Sequence, residues 1–220
     1  MRITIVDDHV LFAEAVGLTL ESQGFAVRRI DLAVPGSSLA AVLAAVLRSG
    51  PRLVLLDLRL GRIGDGTSLV APIVASGAVV VILTGSTDRA QWGECLRRGA
   101  QAVLVKSSSL DLVVATVRRV REGLPLMTLA ERGVLIEAAE LERLESNDLR
   151  DRLECLTHRE MEVLGALMAG AQVREIARTS VVSEATVRTQ VKAILAKLEL
   201  TSQLAAVGAA FRVGWRCPED

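Results

Sequence analysis

Residues 1–122 alternate short runs of β-branched and other apolar residues with longer segments of helical periodicity. The short runs predict five strands, at residues 3–6, 25–30, 53–56, 79–83 and 102–105. Helical spacing recurs between them, at Leu11, Ala15 and Leu18 and in the segments 39–48, 68–76, 88–98 and 110–121. Continuous apolar strands separated by helices are buried on both faces. The pattern therefore predicts an α/β domain with a five-stranded, parallel, doubly wound, flavodoxin-like sheet.

A charged segment separates this domain from the C-terminal part of the chain. Its eight acidic residues and four arginines are Glu131, Glu137, Glu140, Glu142, Glu145, Asp148, Asp151, Glu154, Arg132, Arg143, Arg150 and Arg152. Val134, Ala138 and Leu141 recur at i, i+4 and i+7, which is typical of a helix. We therefore predict a helical charged linker over residues 123–154, between domains at 1–122 and 155–220.

Residues 155–220 have no strand pattern and predict a small all-α domain. Thr157 and Glu160 have the spacing of a capping box, which marks the start of a helix. A short helix is expected over residues 173–179. Ser183 is a good N-cap for a longer helix over residues 184–198.

The helix predicted over residues 184–198 separates apolar from polar side chains. Its apolar side consists of Val187, Val191, Ile194, Leu195 and Leu198, and its other side of Ala185, Arg188, Thr189 and Lys192. Arginine and lysine bind guanine edges or phosphates, and threonine contacts either, so the second side suits the major groove of DNA. A merely solvated helix carries the same pattern, so the helical wheel alone leaves both interpretations open.

The order of residues around this helix resembles the LuxR-type helix-turn-helix. The matching positions are Leu156-Thr157, Arg159-Glu160, Glu162-Val163-Leu164, Glu175-Ile176-Ala177, Ser183-Glu184, Thr186-Val187, Ile194-Leu195 and Lys197-Leu198. The resemblance implies that Arg188, Thr189 and Lys192 contact double-stranded DNA, and that the next helix, residues 202–211, serves dimerisation. Gln190 departs from the family, in which a histidine is frequent at this position.

Polar side chains follow four of the predicted strands. Asp7 and Asp8 follow the first strand and Asp57 follows the third, while Thr84 and Lys106 lie at the ends of the fourth and fifth. The carboxyl ends of strands in a doubly wound sheet converge where such folds bind ligands. Three crowded carboxylates attract a hard cation such as Mg²⁺. A lysine and a hydroxyl beside it suit a phosphoryl group, whose charge they neutralise.

Because of these polar residues at the strand ends, the segment 1–122 resembles a response-regulator receiver domain. The whole chain resembles the NarL/FixJ family. The matching segments are Val6-Asp7-Asp8-His9, Leu11-Phe12, Leu55-Leu56-Asp57-Leu58, Ile82-Leu83-Thr84, Gly99-Ala100 and Lys106. The resemblance implies that Asp57 takes a phosphoryl group from a sensor histidine kinase, and that Thr84 and Lys106 bind the phosphoryl oxygens.

The same resemblance implies a magnesium site and a switch. Asp8, Asp57 and the carbonyl of Arg59 would ligate Mg²⁺, and Asp7 would act through a water molecule. Phosphorylation would draw the Thr84 region inward and reshape a dimerisation face, so that the protein binds promoter DNA as a dimer.

Three departures from the family concern this switch. The loop at residues 60–66 is rich in glycine and lacks the usual proline, and Ser107 stands where proline or an acid is typical. Val103 replaces the tyrosine or phenylalanine that turns inward on activation, and the chain has no tyrosine. Two mechanisms follow: phosphorylation of Asp57, or control by a ligand or partner protein that needs no phosphate.

Charge balance constrains DNA binding. Lysine plus arginine and aspartate plus glutamate are equal at 26 each, so the chain has no global basic field. One helix should then bind DNA weakly. We expect a homodimer that places two recognition helices on successive half-sites.

Other functional classes fit less well. Phosphatases that form aspartyl phosphates place a second aspartate two residues after the nucleophile, where this chain has Arg59, so we expect no enzyme activity. A receiver that binds only proteins would need inert C-terminal helices.

The cellular setting is also predicted. Cys95, Cys155 and Cys217 have no disulfide or metal-ligand spacing, which indicates reduced thiols in the cytoplasm. Without an apolar run of about 18 residues, we expect a soluble protein with no membrane partner.

Overall fold

The structure is a computed structural model that describes residues 1–34 and 36–217. It divides into two compact units, Met1–Leu141 and Glu142–Asp220. The division falls within one helix of the predicted linker. The three domain ranges assigned from the sequence remain predictions. The linker is helical as predicted, but its helix begins at Leu129 and not at residue 123.

The first unit contains the predicted parallel sheet. Its strands are β1 (Arg2–Val6), β2 (Ala26–Arg29), β3 (Leu53–Leu56), β4 (Val79–Thr84) and β5 (Ala102–Val105). They lie in the order β2-β1-β3-β4-β5, and every pairing is parallel. The sequence prediction of five parallel strands is confirmed. The order places the ends of β1 and β3 side by side, and Val6 pairs with Leu56.

Helices cover both faces of this sheet. They are α1 (Val10–Ser22), α2 (Leu39–Ser49), α3 (Thr67–Ala75), α4 (Arg89–Arg97) and α5 (Leu110–Glu122), followed by α6 (Leu129–Glu154). Successive residues of β3 point to opposite cores: Leu53 and Leu55 pack with α1 and α5, whereas Val54 and Leu56 pack with α2, α3 and α4. This alternation explains why β3, which is buried on both faces, is apolar at every position.

The first half of α6 is part of the first unit. Leu135 and Ala139 are buried. The guanidinium of Arg132 donates to the carbonyl oxygens of Leu96, at 2.6 Å, and Ala100, at 2.9 Å, at the end of α4. These bonds hold the helix on α4, so this half of the predicted linker is docked.

Replacing Gly93 with alanine is expected to disrupt this docking. A Cβ at Gly93 would lie 1.9 Å from the carbonyl oxygen of Leu135 and 2.9 Å from the Cβ of Ala139. Because backbone must move to relieve such a clash, we expect the free energy of unfolding to fall by about 2–3 kcal/mol. Urea unfolding and hydrogen exchange of residues 132–140 would measure the effect.

Gly133 provides the matched control for this substitution. It is also a helical glycine, but its Cβ would meet nothing within 4 Å. Gly133→Ala should stabilise the protein by about 0.5–1 kcal/mol, because alanine loses less conformational entropy in a helix. Equal effects of the two substitutions would contradict the α4–α6 contact.

The second unit is helical, as predicted. After α6 it contains α7 (His158–Met168), α8 (Val173–Thr179), α9 (Glu184–Leu198) and α10 (Gln203–Arg212). The Thr157 hydroxyl accepts from the Glu160 amide and the Glu160 carboxylate from the Thr157 amide, which confirms the capping box. Glu160 also accepts from Lys197 Nζ at 2.6 Å. The pKa of this buried glutamate is lowered, because these bonds outweigh the desolvation that opposes them.

All three cysteines are free thiols. Burial raises the pKa of Cys95 to about 11. Among the described residues, no single helix is long and apolar enough to cross a membrane; α9 and α10 pass that test of length and composition only when joined across their 54° bend.

Candidate functional site

The carboxyl ends of β1, β3 and β5 form an acidic pocket around Asp57. This aspartate follows the buried strand β3, and its side chain is only 2% exposed. Asp7 follows β1, and its side chain is also 2% exposed. The neighbouring ends of β1 and β3 therefore bring the two carboxylates together at one edge of the sheet, as the sequence predicted. Their burial is a finding of the structure.

Lys106 joins these two carboxylates. Its Nζ lies 2.7 Å from Asp7 Oδ1 and 2.6 Å from Asp57 Oδ2. The lysine follows β5, and its Nζ is also 5.2 Å from the centre of the Phe12 ring. An ammonium group at these distances stabilises two buried charges that would otherwise repel each other. A phosphoryl group on Asp57 would be within reach of the same nitrogen.

Asp7 keeps one oxygen unpaired. Its Oδ1 accepts from the His9 amide at 2.8 Å and from Lys106, whereas its Oδ2 is buried with no hydrogen-bond partner among the described residues. Desolvation by burial raises the pKa of this carboxyl, although the hydrogen bonds from Lys106 and the His9 amide lower it in part. A buried, unpartnered carboxylate oxygen is costly unless a cation or water accompanies it.

His9 is the residue of the pocket to which the sequence assigned no role. Its Nδ1 lies 2.9 Å from Asp8 Oδ1, 3.4 Å from Asp7 Oδ1 and 3.9 Å from Asp57 Oδ2. The same nitrogen is 3.2 Å from Lys106 Nζ. The only sequence signal was its position directly after Asp8, which does not determine where the ring points.

Asp8 and Arg59 lie at the open side of the pocket. Asp8, with a side chain 27% exposed, lines a cavity of about 460 Å³ together with His9, Arg59 and Gly61. The Arg59 amide donates to Asp57 Oδ1 at 3.3 Å. Gly61 has φ +57°, and a Cβ there would lie 3.0 Å from Asp8 Oδ2. The glycine-rich loop is thus what lets the backbone pass close to Asp8.

Thr84 is fully buried at the end of β4 and begins a chain of hydrogen bonds that leads to α4. Its hydroxyl accepts from the Ser86 amide at 3.1 Å, and the Ser86 hydroxyl accepts from the Asp88 amide at 3.2 Å. Asp88 in turn caps α4 through the amides of its first turn. Val103, which stands in place of the family's aromatic residue, is half-buried against the core that contains α4.

The residues at this pocket fit Mg²⁺. One oxygen from each of Asp7, Asp8 and Asp57, together with a nitrogen of His9, all lie within 4.8 Å of one another. The unpartnered Asp7 Oδ2 can bind a cation, and carboxylate oxygens are the ligands that Mg²⁺ prefers. Asp7, Asp8 and Asp57 would hold the ion.

The second predicted site is the surface of α9. Val187, Ile194 and Leu198 are buried, so the opposite side of the helix faces solvent. Arg188, Thr189 and Lys192 are exposed there, as the sequence predicted. Ser183 caps the helix by accepting from the Thr186 amide at 3.1 Å. Arg188 makes one exposed ion pair with Glu184, at 3.4 Å, which is weak enough to exchange for a phosphate.

Two family descriptions match these two regions. A response regulator receiver domain matches residues 3–118, which is more than half of the chain. The luxR family of bacterial regulatory proteins matches residues 154–210. The chain belongs to the response regulators. It is a transcriptional response regulator in which a receiver domain precedes a LuxR-type DNA-binding domain, and both resemblances noted from the sequence are confirmed.

Relatives of similar length share both regions of this regulator. The nitrate/nitrite response regulator protein homolog of Haemophilus influenzae is 25% identical over 94% of each chain. The virulence factors putative positive transcription regulator BvgA of Bordetella pertussis is 28% identical over 96% of this chain and 97% of its own. RcsB of Salmonella enterica, solved on the promoter rprA with BeF₃⁻, is 19% identical over 95% and 97% of the chains, with a TM-score of 0.50. That last likeness concerns the fold.

Proposed function

We propose that the regulator is switched by phosphorylation of Asp57 and that the phosphorylated form dimerises on promoter DNA. The observation that carries the proposal is the convergence of Asp57 and Lys106, 2.6 Å apart, at the carboxyl edge of the sheet. Phosphoryl acceptance uses the Asp57 nucleophile, the Lys106 ammonium group and the acidic pocket together.

Asp57 acts as the nucleophile in this proposal. One of its carboxylate oxygens forms a bond to the phosphorus of a phosphohistidine on a sensor kinase, and the phosphorus–nitrogen bond breaks with its electron pair going to the imidazole. Bound Mg²⁺ supplies charge neutralisation for the phosphoryl oxygens. Lys106 binds one phosphoryl oxygen and Thr84 a second. Because the regulator keeps the phosphoryl group, it is a substrate of the kinase and not itself an enzyme.

Two features support the kinase as partner and the switch as mechanism. Val10 and Leu11 begin α1 shortly after Asp7 and Asp8, with exposures of 70% and 82%, and offer an apolar docking surface on this side of the domain. Thr84 connects through Ser86 to α4, so a shift of the Thr84 hydroxyl toward a phosphoryl group would be transmitted without an aromatic residue at Val103.

Dimerisation is proposed to use α10. Leu204 and Phe211 are 81% and 60% exposed, and they lie seven residues apart with Gly208 between them on the same face. A Cβ at Gly208 would meet nothing within 4 Å, so a second copy of the helix can approach closely. A two-fold contact of this kind matches a DNA site with two half-sites.

The recognition surface is proposed to consist of Arg188, Thr189 and Lys192. Their exposed side of α9 would enter the major groove. There the side chains of Arg188 and Lys192 would bind guanine edges or phosphates. The overall charge of zero means that this surface, doubled by the dimer, supplies most of the attraction for DNA.

Intact-mass measurement with acetyl phosphate and Mg²⁺ tests the proposal. Wild type should gain the mass of one phosphoryl group and move toward a dimer on size-exclusion chromatography, whereas Asp57→Ala should do neither. A wild type that gains no phosphoryl group would contradict the proposed switch and leave the DNA-binding assignment intact.

A second candidate is control by a small ligand without phosphate. It is favoured by a cavity of about 540 Å³ beside Asp8, whose lining includes Ile30, Leu32, Ile63 and Arg62. Wild type that gains no phosphoryl group and nevertheless binds DNA would support this candidate.

A further inference from the structure

We propose that His9 is a nitrogen ligand in the cation site, and that the site therefore binds first-row transition cations such as Mn²⁺ and Co²⁺ more tightly than Mg²⁺. This inference rests on the proposed cation site at Asp57 and deepens it. It concerns the identity of the ion and the role of a residue outside the carboxylate set.

The position of the imidazole is the first observation. Nδ1 of His9 faces all three carboxylates, at 2.9 Å from Asp8, 3.4 Å from Asp7 and 3.9 Å from Asp57. The four candidate ligand atoms lie within 4.8 Å of one another, near the separation of about 4.2 Å between opposite ligands of one small cation. A slight contraction would bring them onto a single ion.

The surroundings of this nitrogen are the second observation. Its neighbour Asp8 Oδ1, 2.9 Å away, is buried and has no hydrogen-bond partner among the described residues. A cation bound between the imidazole and the Asp8 carboxylate would be a partner for both atoms.

An unpartnered oxygen is the third and independent observation. Asp7 Oδ2 is buried and finds no donor within residues 1–34 and 36–217. The oxygen belongs to a side chain that is 2% exposed and that lies in the same cluster as His9. A ligand that supplies positive charge accounts for it.

Among the described residues, the His9 ring has no hydrogen bond or ion pair outside this pocket. His9 is the N-cap residue of α1, yet its side chain makes no capping bond in the part of the chain that the structure describes. The side chain is 65% exposed, so an ion can reach it from solvent. Imidazole is a good ligand for transition cations, whereas Mg²⁺ binds oxygen and dehydrates reluctantly. A mixed set of three carboxylates and one imidazole thus favours the transition cation.

Pulsed electron paramagnetic resonance of the full-length protein with Mn²⁺ tests this inference directly. Wild type should show coupling of Mn²⁺ to a nitrogen nucleus, and the coupling should vanish in His9→Ala. Calorimetric titration should show that His9→Ala weakens Co²⁺ binding by about 10-fold or more, since loss of a ligand or its support costs at least this much. Mg²⁺ binding should change by less than about 2-fold, because its ligands are oxygens.

His158→Ala is the matched control, since the chain has two histidines and this one lies in the second unit. It should leave the nitrogen coupling and the Co²⁺ affinity unchanged. Asp57→Ala should abolish binding of both ions. Mg²⁺ binding and phosphoryl uptake by a protein that shows no nitrogen coupling would overturn the role of His9 and leave the proposed function standing. Failure to bind Mg²⁺ or Mn²⁺ at all would count against both.

Discussion

Alanine at both Arg188 and Lys192 is expected to weaken binding of duplex DNA by about 100-fold or more, because each lost phosphate or base contact costs about 1–3 kcal/mol. Both side chains are exposed on α9, opposite its buried residues. The slope of log affinity against log salt should also fall by about 4, since each of the two bound subunits neutralises two fewer phosphates. Fluorescence anisotropy with a duplex selected by wild type from a random pool would measure both quantities.

A control must remove the same charge elsewhere. Arg48 and Arg89 are exposed in the first unit, at the end of α2 and the start of α4. The Arg48→Ala/Arg89→Ala variant should bind the same duplex within about 3-fold of wild type, because charges beyond a Debye length of about 8 Å are screened. Equal losses in the two double variants would mean that net charge, and not α9, determines the affinity.

The second large effect is expected at Lys106. Its replacement by methionine removes the cation that pairs with Asp7 and Asp57, whose side chains are each 2% exposed. Leaving buried charges unpaired should lower the free energy of unfolding by about 3–5 kcal/mol in EDTA near neutral pH. Added Mg²⁺ should restore much of this stability, since the ion can neutralise the same carboxylates. Urea unfolding with and without Mg²⁺ would measure the change.

Lys192→Met is the control for Lys106→Met, because Lys192 is exposed. It should unfold like wild type, within about 0.5 kcal/mol, with or without Mg²⁺. If Lys106→Met were as stable as wild type in EDTA, the buried pairing of Lys106 with the two aspartates would be wrong.

Strand and helix positions were predictable because each follows from local pattern. The five apolar runs match the observed strands to within a residue or two, and Ser183 caps α9 as expected. The acidic pocket was predictable for a topological reason: residues that follow parallel strands meet at one edge. Asp7, Asp57 and Lys106 needed no further information than their positions after β1, β3 and β5.

Contacts that depend on packing between distant segments were not predictable. The docking of α6 on α4 depends on the absence of a side chain at Gly93 and on bonds from Arg132, more than 30 residues away in sequence. The orientation of His9 depends on ring rotation toward Asp8, which periodicity does not encode. The hydrogen-bond chain through Ser86 likewise depends on loop geometry after β4.

We propose that phosphorylation of Asp57 controls DNA binding by α9. The most direct measurement is the affinity for the selected duplex before and after treatment with acetyl phosphate and Mg²⁺, in wild type and in Asp57→Asn. We expect phosphorylated wild type to bind about 10-fold more tightly, a typical coupling between two sites, and Asp57→Asn to show no response. Phosphorylated wild type that binds the duplex with the same affinity as unphosphorylated wild type would contradict this proposal.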